Sequence, residues 1–216
     1  MIEIKDIKGA IFDMDGTLID SMGIWEDIDI EFLSKRGIDM PKDLGDKIKH
    51  MSFHEVALYF KERFGLDEEV DEIMEEWDEM AYHHYANSIK LKPGVQEYLK
   101  TLKRKDIKIG LATSSSRKHT EVVLKRNKIF NYFDVISTVD EIKKDKSFPD
   151  IYIKTSEQLG LLPHECAVFE DIYVAVRSAK KAGAKVVGVY DKYSRHQMDY
   201  IKRKADLYIM NFYELM

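Results

Sequence analysis

Hydrophobic and polar positions alternate with two different periods along the chain. A short apolar run over 7–13, ending in Ile11 and Phe12, stops at Asp13-Met14-Asp15-Gly16-Thr17. Gly16 and Thr17 break the run, so a buried strand meets a loop there. From Ser21 to about Lys92 the pattern turns helical. Ser52 and Glu55 form a capping-box pair that opens one helix, and Gly65 after Phe64 fits its C-terminal stop. Val70, Ile73, Met74, Trp77, Ala81, His84 and Tyr85 recur at three- and four-residue steps and predict the buried stripe of a long amphipathic helix. The acidic stretch 67–79 on the other side reads as a solvated face.

After Lys92-Pro93-Gly94 the texture changes again. Strand-like runs at 107–113, 133–138, 167–171, 185–190 and 206–210 alternate with amphipathic stretches at 95–104, 118–127, 151–159, 174–182 and 195–203. Such alternation predicts an α/β fold, a Rossmann-like doubly wound parallel sheet with helices on both faces. The helical block follows the first strand, so it reads as an inserted α-helical cap domain, residues 21–92, in a catalytic core made of residues 1–20 and 93–216. The chain would leave and return at one edge of the core, which places the insert to act as a lid.

Composition narrows the partners. With 216 residues and 44% hydrophobic content, the chain suits one large domain or one domain with an insert, and disorder is excluded as its main state. The single cysteine, Cys166, forms no internal disulfide, and no apolar run approaches the roughly 18 residues of a membrane span. A soluble, cytoplasmic monomer with no membrane partner is expected. Residues 21–92 carry 18 acidic against 9 basic side chains, whereas the rest of the chain carries 25 basic against 21 acidic. So acidic a segment repels a nucleic-acid backbone, which leaves a small anion held by local groups.

Asp13 and Asp15 supply candidate chemistry. On an extended backbone, residues i and i+2 point to one side, so both carboxylates can face one ligand. Their repulsion is relieved by a cation or by protonation, and an all-oxygen site favours Mg2+. The competing reading is a capped turn in which Asp15-Gly16-Thr17 only satisfies backbone N–H groups.

The segment Phe12-Asp13-Met14-Asp15-Gly16-Thr17-Leu18-Ile19-Asp20-Ser21 resembles the first motif of the haloacid dehalogenase superfamily. Three further stretches resemble its later motifs, in order: Leu111-Ala112-Thr113-Ser114-Ser115, Lys146 with Pro149-Asp150, and Phe169-Glu170-Asp171. Ser147 stands where the family usually has proline, and Ile172 and Ala175 stand where it often has Ser and Gly. The resemblance implies that Asp13 attacks the phosphorus of a phosphate ester and that Asp15 acts as general acid and base. It implies Mg2+ held by Asp13, the backbone carbonyl of Asp15 and Asp171, with Glu170 as ligand or orienter. Thr113, Ser114 and Lys146 would bind the phosphoryl oxygens. An aspartate at position 15 disfavours dehalogenation, because that reaction needs no acid to help an alcohol leave.

The chain is also similar to the beta-phosphoglucomutase branch, which carries a helical cap after the first motif. That branch's cap histidine aligns with Trp25, and its cap Arg and Lys align with Phe53 and Ala81. Loss of those charges implies a one-phosphate substrate, and hence a phosphatase of a small phosphorylated metabolite, a sugar phosphate or related monoester. A phosphomutase is the alternative. A catalytically idle ligand-binding protein would be marked by a lost motif residue, and Asp13, Asp15, Lys146 and Asp171 are all present. Trp25 and His83 are the candidate substrate contacts; the favoured reading of Trp25 is nonetheless cap core, and that of His84 packing.

Overall fold

Six parallel strands organise most of the chain. They are β1 (Gly9–Phe12), β2 (Lys108–Thr113), β3 (Val135–Thr138), β4 (Cys166–Glu170), β5 (Lys185–Val189) and β6 (Leu207–Ile209), in the sheet order β3-β2-β1-β4-β5-β6. The helices are α1 (Ile24–Lys35), α2 (Leu44–Ile48), α3 (Phe53–Phe64), α4 (Val70–Asn87), α5 (Val95–Arg104), α6 (Arg117–Arg126), α7 (Val139–Ile142), α8 (Asp150–Gln158), α9 (Tyr173–Ala182) and α10 (Met198–Lys204). The computed structural model describes residues 4, 6–48 and 51–216. It divides into two units, Met1–Met22 with Ile89–Met216, and Gly23–Ser88. The stretch expected to be helical at 195–203 begins as a 3-10 turn, Arg195–Gln197, before α10. Among the described residues no helix is long and apolar enough to cross a membrane.

The sheet of the larger unit is buried on both faces, which is why its strands read as nearly continuous apolar runs. On one face Phe12 stacks on Phe169 with ring centroids 4.4 Å apart, and Tyr98 of α5 and Phe212 close around them. On the other, Ile11, Val168 and Val186 pack with Tyr152, Val176 and Ile201 from α8, α9 and α10. The register pairs Phe12 with Leu111 on one side and Phe169 on the other. Chain order runs outward from β1 in both directions, so β1 and β4 flank the switch point where α/β sheets hold ligands. A paired stem leads out of this unit and back: Ile19 bridges Leu91, Asp20 N–H donates to the Lys90 carbonyl (3.0 Å) and Lys92 N–H to that of Leu18 (2.9 Å).

The smaller unit has an aromatic centre. Trp77 of α4 meets Phe32 of α1 and Phe60 of α3 at 5.4 and 4.9 Å, all edge-on. Ser52 and Glu55 make both capping-box bonds, and Gly65 ends α3 at φ +63°. Arg36 lies 3.7 Å over Phe32 and donates to Glu68 and Glu76, both at 2.6 Å, so part of the acidic stretch expected to be solvated is clamped. Two further expectations need correction. Trp25 is 42% exposed, packed edge-on against the half-exposed Phe53, and is not a core residue. His84 is only partly buried beside Ser88, because Met80 and Tyr85 complete the stripe instead.

Asp29 of α1 is buried in this unit. Burial, and then the charge of Glu26, pushes its carboxyl up to about 7. The native state therefore holds this proton more tightly than the unfolded chain, and stability falls as pH rises from the ordinary carboxylate range to about 7, above which both states are ionised. Asp29→Asn should raise stability by about 2 kcal/mol more at pH 8 than at pH 5, because between these values the unfolded carboxyl is ionised while the native one gives up its proton only near 7. Urea unfolding at the two pH values checks this; equal effects at both would contradict it.

Candidate functional site

Three of the four motifs lie at the carboxyl ends of strands in the larger unit, and the third, with Lys146, lies in a loop beyond β3. Asp13 follows β1, and its N–H donates to the Phe169 carbonyl (3.0 Å), extending the β1–β4 pairing by one step. That extra step brings Asp13 beside Glu170, the last residue of β4, and Asp171. The carboxylate oxygens of Asp13, Glu170 and Asp171 lie within 4.8 Å of one another, and all three side chains are buried. Lys146, from the loop between α7 and α8, donates to Asp13 Oδ1 and to Glu170 Oε1, the latter at 2.7 Å. Tyr152 of α8 donates to the same Glu170 oxygen at 2.7 Å.

The charges do not balance, and the acidities register it. Burial, with the Glu170 charge and then Asp15 adding to it, pushes the Asp13 carboxyl up to about 7 against the opposing pull of Lys146. Burial likewise holds Asp171 well above the usual carboxylate range, reinforced by Asp13, Glu170 and Asp191. For Lys146, burial acts to lower the pKa, but the charges of Asp13 and Glu170 outweigh it and keep the ammonium ionised. The gain of Lys146 from its partners outweighs its burial while that of Asp13 does not, because one ammonium is shared between carboxylates.

Glu170 Oε2 and Asp171 Oδ2 are buried without a hydrogen-bond partner. A buried anionic oxygen with no partner is costly. A hard divalent cation bound by oxygens would satisfy both, so the residues present fit Mg2+. Gly16 is required beside them. It sits at φ +78°, and a Cβ there would lie 2.5 Å from Asp171 Oδ2.

Asp15 is set apart from this group. Ser21 Oγ donates to one of its carboxylate oxygens (2.7 Å) and Ser115 Oγ to the other (2.6 Å). Its carboxylate is therefore outside the three-carboxylate cluster. Thr113, at the end of β2, is fully buried and accepts from the Ser115 N–H (3.0 Å), while Ser114 is exposed. The hydroxyl that reaches an acidic candidate is thus that of Ser115, which the sequence does not single out among four adjacent hydroxyl residues, Thr113 to Ser116.

The departures from the family pattern have local explanations. Ser147 uses the N–H that proline would lack, donating to Asp145 Oδ1 at 2.7 Å in a turn that presents Lys146. Ile172 offers no cap to α9, and the amide oxygen of Gln197 accepts from the Tyr173 N–H instead (2.9 Å). Tyr152 and Gln197 carry no periodic or motif signal for these contacts, because their partners are far along the chain; Ser21 lies within the first-motif segment, but its contact depends on side-chain direction. Trp25 and His83 belong to the smaller unit, where His83 is exposed on α4.

Comparison with known proteins adds to this geometry. Residues 10–189 match the haloacid dehalogenase-like hydrolase family. A phosphorylated carbohydrates phosphatase of Thermotoga maritima is 30% identical over 85% of this chain and 85% of its own. Hexitol phosphatase B of Escherichia coli (strain K12) is 27% identical over 86% of this chain and 84% of its own. The solved structure of beta-phosphoglucomutase from Clostridium difficile covers 97% of this chain and 93% of its own, with a TM-score of 0.71 and 25% identity. The family match runs from within β1 to the end of β5 and takes in the ends of β1, β2 and β4 as well as Lys146; this chain belongs to the haloacid dehalogenase-like hydrolases.

Proposed function

We propose that this chain is a Mg2+-dependent phosphatase of small phosphorylated metabolites, acting on a sugar phosphate or related monoester through an aspartyl-phosphate. One observation carries the reading: of three clustered buried carboxylates two share one lysine and two oxygens have no hydrogen-bond partner among the described residues, while a fourth carboxylate, Asp15, is held apart on two hydroxyls. Carboxylates in such different surroundings suit different tasks.

Asp13 attacks phosphorus, the bond from phosphorus to the ester oxygen breaks, and Asp15 gives its proton to the departing alkoxide. Asp15 then takes a proton from the water that hydrolyses the aspartyl-phosphate, returning Asp13 as a carboxylate. Ser21 and Ser115 hold the Asp15 carboxyl in one orientation for both transfers. Lys146, Thr113 and the backbone around Ser114 offset the charge on the phosphoryl oxygens. Asp13, Glu170, Asp171 and the Asp15 carbonyl would hold Mg2+, which when bound supplies positive charge to the transferring group. Trp25 and His83 remain the candidates for contact with the rest of the substrate.

The relatives named for phosphatases of phosphorylated carbohydrates and hexitols support a carbohydrate-like ester. The structural similarity to a beta-phosphoglucomutase favours a second reading, a phosphomutase. Against it, the positions aligned with cationic cap residues are the apolar Phe53 and the fully buried Ala81, neither of which can hold a second phosphate.

Asp13→Asn should lower hydrolysis of p-nitrophenyl phosphate by about a thousandfold or more, with the circular dichroism spectrum unchanged. Turnover like that of the wild type would overturn the mechanism. Chelation with EDTA should abolish activity and added Mg2+ restore it. Incubation with hexose 1-phosphates should release inorganic phosphate; accumulation of 6-phosphates would establish the mutase instead.

A further inference from the structure

We propose that Lys92 and Asp191 form a positioning pair that sets the charge of the acidic centre and fixes its turn, so that a divalent cation binds with the affinity catalysis needs. The inference rests on the reading of Asp13, Glu170 and Asp171 as a cation site. Neither residue belongs to the four motifs. Lys92 stands on the returning strand of the stem, where its N–H donates to the Leu18 carbonyl, and Asp191 follows β5.

Lys92 Nζ donates to the Gly16 carbonyl, to the Tyr190 carbonyl (2.7 Å) and to Asp191 Oδ2 (2.8 Å), which uses all three of its donors. Its side chain is 11% exposed and that of Asp191 1%. Asp191 Oδ1 accepts from the Tyr193 N–H at 2.8 Å, so the carboxylate is tied at both oxygens. The bond to Gly16 makes the pair more than an anchor for the β5 loop. Gly16 is the residue whose backbone crowds Asp171, and it follows Asp15 directly. Holding the Gly16 carbonyl therefore fixes the turn between the two.

The charges give the second argument. The buried carboxylates are Asp13, Glu170, Asp171 and Asp191; the buried ammonium groups among them are Lys146 and Lys92. Four carboxylates against two ammonium groups leave an excess of acidic groups, which a divalent cation would offset. The pair itself is neutral, and breaking it on either side moves that balance in opposite directions.

Isothermal titration of Mg2+ into the substrate-free protein tests this. Lys92→Met should bind Mg2+ about three- to tenfold more tightly, because Asp191 is left uncompensated, and Asp191→Asn should bind it more weakly by a similar factor. The double variant should return close to the wild-type affinity. In Lys92→Met, kcat should fall although cation affinity rises, because the Gly16 carbonyl has lost its donor. A pair that only braces the fold would weaken binding in both single variants or change it in neither, and either result overturns the proposal. Should Lys92→Met fail to fold, Asp191→Asn decides alone: unchanged or tighter binding overturns the proposal. Wild-type protein that binds no Mg2+ would instead overturn the underlying reading of the cation site.

Discussion

Lys146 is shared between Asp13 and Glu170, and the candidate site depends on that unequal division. A buried lysine keeps its proton only if anions lie close, and here two do. A third carboxylate, Asp171, lies within the same small volume with no ammonium of its own at hydrogen-bond distance. The arrangement persists because the sheet imposes it. Adjacent parallel strands in register bring the ends of β1 and β4 together, and the stacked Phe12 and Phe169 one residue before Asp13 and Glu170 secure that register. Each of those rings contributes about 1.5–3 kcal/mol by its burial, enough to offset part of the cost of clustering like charges. Stability from the apolar sheet is thus placed directly against the instability of the acidic centre.

Sequence and geometry agree where a short motif and a strand end coincide. Asp13, Lys146, Glu170 and Asp171 are brought together as the motif order implies, because in a parallel sheet successive strand ends face the same way whatever the loop lengths between them. Boundaries of helices such as α3 were legible too, since Ser52, Glu55 and Gly65 act locally. Legibility failed where a role depends on partners distant in sequence. Tyr152 looks like one more apolar position of α8, yet its hydroxyl reaches Glu170. Lys92 and Asp191 are separated by most of the core, and nothing local distinguishes them from surface charges. In the smaller unit the 3.6-residue period marked the right helix but assigned its flanks too generously, so His84 was expected inside and Trp25 was open to a core reading.

Departures from a family pattern need not change what the motif residues do. Ser147 in place of proline costs the turn its fixed φ but adds an N–H, and Asp145 takes up that donor. Ile172 leaves α9 uncapped from within its own segment, and Gln197, 24 residues beyond Tyr173, supplies the acceptor for the Tyr173 N–H. In both places the side chain that presents chemistry, Lys146 or the Glu170-Asp171 pair, is held by a contact that a different residue type makes in a different way. A motif is better understood as a requirement on donors, acceptors and direction than as a string of letters.

The two aspartates of the first motif show the same point from the side of reactivity. They are two residues apart and chemically identical, so any difference in role has to come from their surroundings. Asp13 faces carboxylates and a lysine in a fully buried setting, where ionisation depends on imported positive charge. Asp15 is only partly buried and accepts from two hydroxyls. Those hydroxyls come from opposite sides of the motif, Ser21 from the same loop and Ser115 from beyond β2, so the Asp15 carboxyl is fixed without becoming part of the charged cluster. Keeping it outside matters, because a group that must give and then take a proton cannot also be bound tightly to a cation. One residue, the fully buried Met14, separates the two carboxylates, which leaves them neighbours in sequence with different partners, although the Asp15 charge still acts on Asp13; in the proposed mechanism that difference divides nucleophile from acid.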